Sequence, residues 1–175
     1  MIYNVYPFLN KNQKFVMTAI MNAINKNDAS LVQQLIQDGV DVNELDSHQD
    51  APLVMAAYKG HHQIVRQLLE AGADVHALDP SMKATALHAA AYAGRTEAAK
   101  VLIEYGIDID RQGPYNGYTA LHDAIWQNNI EVVKVLLQAD ADLSIISNDG
   151  KSALDFAKSK GHKEIVALIE SKSEK

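Results

Sequence analysis

Seven histidines stand in a chain of 175 residues, and two aspartates, Asp108 and Asp110, flank a single isoleucine. Imidazoles and paired carboxylates are the side chains that hold metals or move protons. A zinc site needs three or four such ligands converging on one point. His48, His61, His62, His76, His88, His122 and His162 are scattered, and only His61 and His62 adjoin, so local spacing supplies no such set. The chain has no cysteine, which removes disulfides and thiolate ligands. No serine sits in a nucleophile elbow, and neither G-x-G-x-x-G nor G-x-x-x-x-G-K-[ST] occurs. The expectation is a chain that is not an enzyme and holds neither cofactor nor metal.

The elements that carry these side chains repeat. Ala51-Pro52-Leu53-Val54, Thr85-Ala86-Leu87-His88, Thr119-Ala120-Leu121-His122 and Ser152-Ala153-Leu154-Asp155 recur at steps of 34, 34 and 33. Gly60, Gly94, Asn128 and Gly161 keep the same steps, and Leu68-Leu69, Leu102-Ile103 and Leu136-Leu137 follow them. A weaker copy with Thr18, Ile20, Asn27 and Leu35-Ile36 comes first. Each unit holds two short apolar-periodic segments, such as 52–59 and 63–71, rich in Ala, Gln, Glu and Lys, which favours helix over strand. Helices of eight or nine residues are marginal alone, so these must pack on each other and on the next unit. Thr85, Thr119 and Ser152 stand at helix N-caps, Pro52 suits a first turn, and Gly39, Gly72 and Gly106 suit left-handed C-caps.

The units resemble the ankyrin repeats, whose signature is T-P-L-H-x-A-A, then G-H, then V-x-x-L-L-x-x-G-A-D-V-N. The second unit reads Pro52-Leu53, Ala56-Ala57, Gly60-His61, Val65, Leu68-Leu69 and Gly72-Ala73-Asp74-Val75. The resemblance implies an all-α solenoid of stacked helix-turn-helix units with projecting β-hairpin-like loops. Its expected division is an N-terminal extension, 1–12, and one domain, 13–172, with repeats at about 13–46, 47–80, 81–114, 115–147 and 148–172. It further implies that His88 and His122 bond backbone between units and that His61 and His162 are structural. Asp41, Asp74, Asp108, Asp110 and Asp142 fall in the solvated turn after the second helix.

Both ends depart from the pattern. Lys158 and Glu170 replace interior apolar residues of the last unit, and Asp155 replaces the histidine, so that face is expected to meet water. Tyr3, Val5, Tyr6, Phe8 and Leu9 precede the first unit, either packed on it or as a docking arm. Asp140 holds the Gly39/Gly72/Gly106 position and should adopt their left-handed backbone. The two steps of 34 place one extra residue in each of the loops 78–84 and 111–118, where the stack tolerates it.

A net charge of −6 argues against a phosphate-backbone binder, and no run approaches the roughly 18 apolar residues that cross a bilayer. The segment 15–21 is too short and interrupted for an export signal, so cytoplasm is the default location. Polar ends favour a monomer. The partner expected is another protein, docked, as the resemblance implies, in a concave groove made by the first helices and the hairpin tips. There Tyr58-Lys59, Tyr92-Ala93 and Trp126-Gln127 precede the landmark glycine or asparagine, so the three rings are in register on consecutive units. Helix spacing puts them in a row about 20 Å long. Such rings suit an interface, since they cover area with few rotatable bonds. Tyr115, Asn116 and Tyr118 on the fourth tip, Met82 and Lys83 on the third, and His48 and Asp50 on the second extend the surface. The other role consistent with the sequence is self-assembly through the N-terminal segment or the repeat ends.

Overall fold

The computed structural model describes residues 19–80 and 83–173. The expectations for Thr18, the segment 1–12 with Tyr3 to Leu9, and Met82 lie outside them. Among the described residues the architecture is helical throughout. After α1 (19–25) come α2 (Ala29–Gln37), α3 (Pro52–Lys59), α4 (His62–Glu70), α5 (Ala86–Tyr92), α6 (Thr96–Glu104), α7 (Ala120–Trp126), α8 (Ile130–Gln138), α9 (Ala153–Lys160) and α10 (Lys163–Ser173). The helices form two layers. One runs α3, α5, α7, α9 and the other α2, α4, α6, α8, α10, each helix touching the next of its layer, with α3, α5, α7 and α9 packed on α4, α6, α8 and α10.

Such short helices start and stop on local signals. Thr85 accepts a bond from the His88 amide, Ser152 and Asp155 cap each other reciprocally, and Pro52 opens α3. Gly60 and Gly161 end α3 and α9 at φ of 81° and 75°. At Gly60 a β-carbon would also sit 2.7 Å from the flexible Arg95 side chain, which would have to shift, and the positive φ is what favours glycine there. Neighbouring helices approach closely at small residues: Ala56, Ala90, Ala124 and Ala157 are fully buried at equivalent positions.

The histidines lock one unit to the next. The Thr85 hydroxyl lies 2.8 Å from His88 Nδ1, and His88 Nε2 lies 3.1 Å from the Tyr118 carbonyl. A carbonyl only accepts, so Nε2 carries the proton and Nδ1 accepts from the hydroxyl. Thr119, His122 and the Lys151 carbonyl repeat the arrangement one unit on, with His122 Nε2 at 3.4 Å. Burial pushes the pKa of both imidazoles down, which keeps them neutral. His61 and His162 stand at the starts of α4 and α10, each with a buried Nε2 that meets no hydrogen-bond partner among the described residues.

The aspartates of the loops serve backbone. The Asp41, Asp74, Asp108 and Asp142 carboxylates each accept from the amide two residues on, and Asp110 accepts from the Asp142 amide of the following unit. The loops 78–84 and 111–118 close as hairpin-like tips, with a lone bridge between Leu78 and Thr85 and a bond from the Gly113 amide to the Tyr118 carbonyl at 2.8 Å. In the last unit Lys158 and Glu170 are exposed and pair at 2.9 Å, and Asp155 is exposed.

Two outcomes follow. His88→Ala orphans the Tyr118 carbonyl and the Thr85 hydroxyl and should cost about 1–3 kcal/mol in a urea melt at pH 7.5. Because the native imidazole resists protonation, the stability it lends is present above about pH 6.5 and is lost as pH falls below it, so the mutational cost should shrink towards pH 5. Asp140 has a φ of 59° and pairs with Lys172 Nζ at 2.6 Å. Asp140→Gly relieves the backbone but removes an exposed ion pair. It should stabilise by about 0.5–1 kcal/mol in high salt and by less in low salt, read from paired melts.

Candidate functional site

The aromatic row emerges from the stack because of where α3, α5 and α7 stop. Tyr58 stands one residue before the end of α3, and Tyr92 and Trp126 are the last residues of α5 and α7. The next unit anchors the ends of the first two helices. Arg95 Nε donates to the Tyr58 carbonyl at 3.0 Å, and Asn129 Nδ2 donates to the Ala91 and Tyr92 carbonyls at 2.8 and 3.1 Å. These bonds satisfy terminal carbonyls that a short helix leaves free and hold the ring-bearing backbone in place.

All three rings reach solvent, with Tyr58 and Tyr92 48% exposed and Trp126 46%. They line one mainly apolar cavity of about 750 Å³ that also takes in Val54, Met55, Ala84 and Ala89. Of the other residues expected at a contact surface, Asp50, Tyr115, Asn116 and Tyr118 line this cavity, and Tyr115 is 70% exposed. His48, Lys59 and Gln127 are not in its wall. His48 projects into solvent and lies 3.5 Å from Asp46. Lys59 and Gln127 sit at the extreme ends of α3 and α7, one residue past the ring, where the helical turn carries the side chain to another face.

Several of these residues also have structural duties. The Asn116 Oδ1 accepts from the Tyr118 amide at 3.0 Å, and the Tyr115 and Asn116 carbonyls accept from Asn148 of the last tip at 3.2 and 2.9 Å. Tyr118 stacks on His122 with centroids 5.5 Å apart. Trp126 lies 5.8 Å from the buried Phe156, nearly parallel to it, and Lys160 Nζ stands 3.3 Å from the indole centroid. The ring neighbours of Trp126 are Phe156 and Tyr118, not Tyr92.

Sequence reasoning passed over Asp123. It stands three residues before Trp126 on α7, hence on the same helical face, at the position held by Met55 and Ala89 in the two preceding units and by Phe156 in the next. Met55, Ala89 and Asp123 all line the cavity and form a second row beneath the aromatic one. Comparing the residue three before each ring would have shown it. The Asp123 carboxyl is half-buried, and no hydrogen bond or ion pair engages it among the described residues; removal from water pushes its pKa up to about 7. Asp50 is also pushed up, first by burial and then by the carboxylates of Asp46 and Asp79.

A stack of short helix pairs, histidine-locked and bordered by hairpin tips, is the arrangement that the repeat pattern implied. The family model described as ankyrin repeats (3 copies) matches residues 3–79 and 77–147. The chain belongs to the ankyrin-repeat family. Ankyrin repeats generally serve as protein–protein interaction modules, and the family is typically non-enzymatic. No curated protein matches this ankyrin chain significantly. Among the described residues no helix is long and apolar enough to cross a membrane, and no three His, Asp or Glu gather as a metal site would require.

The raised Asp123 pKa fixes the sign of a pH effect. A carboxyl whose folded pKa lies above its unfolded value stabilises the fold relative to higher pH, and that contribution is lost as pH rises from about 4 through about 7. Asp123→Asn carries no such loss. Its stability over the native chain should grow from near zero at pH 4 to about 1–3 kcal/mol at pH 8, after allowance for the partial solvent access of the carboxyl, in urea titrations at the two pH values. An advantage that stayed level would mean that the carboxylate is well solvated, and one that narrowed with rising pH would mean that it is paired.

Proposed function

We propose that this ankyrin chain is a non-enzymatic adaptor or inhibitor that holds a segment of one partner protein in the cavity between its inner helices and hairpin tips. The observation that carries the proposal is the aromatic row. In a fold whose other large apolar side chains are mostly buried, Tyr58, Tyr92 and Trp126 each keep nearly half their surface in water and share one apolar cavity. Exposed apolar area that is ordered, continuous and rimmed by polar groups marks an interaction surface. Rings on short, pre-anchored helix ends also lose little freedom when a partner arrives. Tyr115 and Tyr118 extend the contact from the fourth tip, with Asn116 and Asp50 on the polar rim. Lys59, Gln127 and His48 belong to an outer margin that a larger partner would reach. The acidic balance of the chain disfavours nucleic acid as an alternative partner.

The test separates contact from support. Among the described residues no ring packs on Tyr58 or Tyr92, whereas Trp126 rests on Phe156. Tyr58→Ala combined with Tyr92→Ala should weaken a partner isolated by affinity capture by about 2–4 kcal/mol while the melting curve stays nearly unchanged. Trp126→Ala should lower both affinity and melting temperature. Full affinity after the double tyrosine substitution would move the site to the outer helices or the N-terminal segment.

A further inference from the structure

The charges in the groove bear on what the partner presents to it. Asp50, Asp79 and Asp123 line the cavity, and among the described residues neither lysine nor arginine does. The one imidazole there, His88, is held neutral with both ring nitrogens engaged. Asp123 stands at the α7 end of the row that Met55 and Ala89 begin, beside Trp126 of its own helix, and no cation pairs with it among the described residues. A carboxylate kept from water without a partner is unfavourable until a positive group arrives. The rings beside it are suited to the same kind of group, because aromatic faces attract cations. The chain supplies its own precedent, since Lys160 Nζ stands over the Trp126 indole at 3.3 Å.

The geometry points to a basic peptide segment of the partner as the occupant, with one arginine or lysine side chain placed against Asp123 and along the ring of Tyr92. The proposal rests on the groove being the binding surface, and it adds the chemistry that the groove selects. A volume of about 750 Å³ exceeds a single side chain, so the flanking residues of an extended segment occupy the apolar remainder, over Val54, Met55 and Tyr58. The net charge of −6 adds a long-range pull on a basic partner, which salt would screen.

Random displayed peptides selected on the native chain test this directly. The tightest is synthesised with a fluorescent label and titrated against the native protein, Asp123→Asn, Asp123→Glu, and the Tyr58→Ala/Tyr92→Ala double variant. The expected result is a fixed arginine or lysine among the selected peptides. Replacing it with citrulline or norleucine should weaken binding about ten-fold or more, as should Asp123→Asn, while Asp123→Glu retains the preference for a cation. Affinity should fall as salt is added. Peptides without a fixed cation overturn the inference. So does unchanged affinity for Asp123→Asn when the tyrosine variant has lost binding, and this second result leaves the groove itself standing. If binding survives the tyrosine substitutions, or no peptide is selected, the groove and its cation fall together.

Discussion

Helices of seven to eleven residues hold their shape here only because another helix lies on either side. The contact that makes this possible is between small residues. Fully buried alanines at equivalent positions let neighbouring helices come together, and the threonine–histidine–carbonyl link ties the third and fourth units to the tips that follow them. Every other feature depends on that register. A displacement of one residue would take His88 from the Tyr118 carbonyl and Arg95 from the Tyr58 carbonyl, leaving polar groups unpaired along the seam.

The same seam presents the groove. In the last turns of α3, α5 and α7 the residue before the ring, Ala57, Ala91 or Ile125, is fully buried, and the ring that follows it reaches solvent. Repetition then turns one such position into a row of rings, and the position three residues earlier into a row beneath it. Trp126 marks where the row changes character. Phe156 and Lys160 of the last unit close around it, so it combines support with exposure, whereas Tyr58 and Tyr92 meet no other ring among the described residues.

At the end of the described stack, burial gives way to charge. Lys158 and Glu170, at positions that are apolar in the preceding units, pair in water. Asp155 exchanges the histidine's reach to a following tip for a reciprocal cap on its own helix, where Ser152 is its partner. Asp140 shows the same economy of means. It accepts a left-handed backbone that glycine would adopt more easily and engages Lys172 with its carboxylate.

The repeat spacing, the cap residues and the aromatic register were legible in the sequence, because each is a local or strictly periodic property. Thr85, Gly60 and Tyr92 announce themselves by type and by position within the unit. Which side chains share a cavity was decided only by the tertiary structure. Asp123 looks like an ordinary helical aspartate until Trp126 and Tyr118 enclose it, and Lys59 and Gln127 look like groove residues until the helical turn directs them elsewhere. Periodicity determines backbone register, whereas burial, loss of water and the pairing of charges depend on groups brought together from different units.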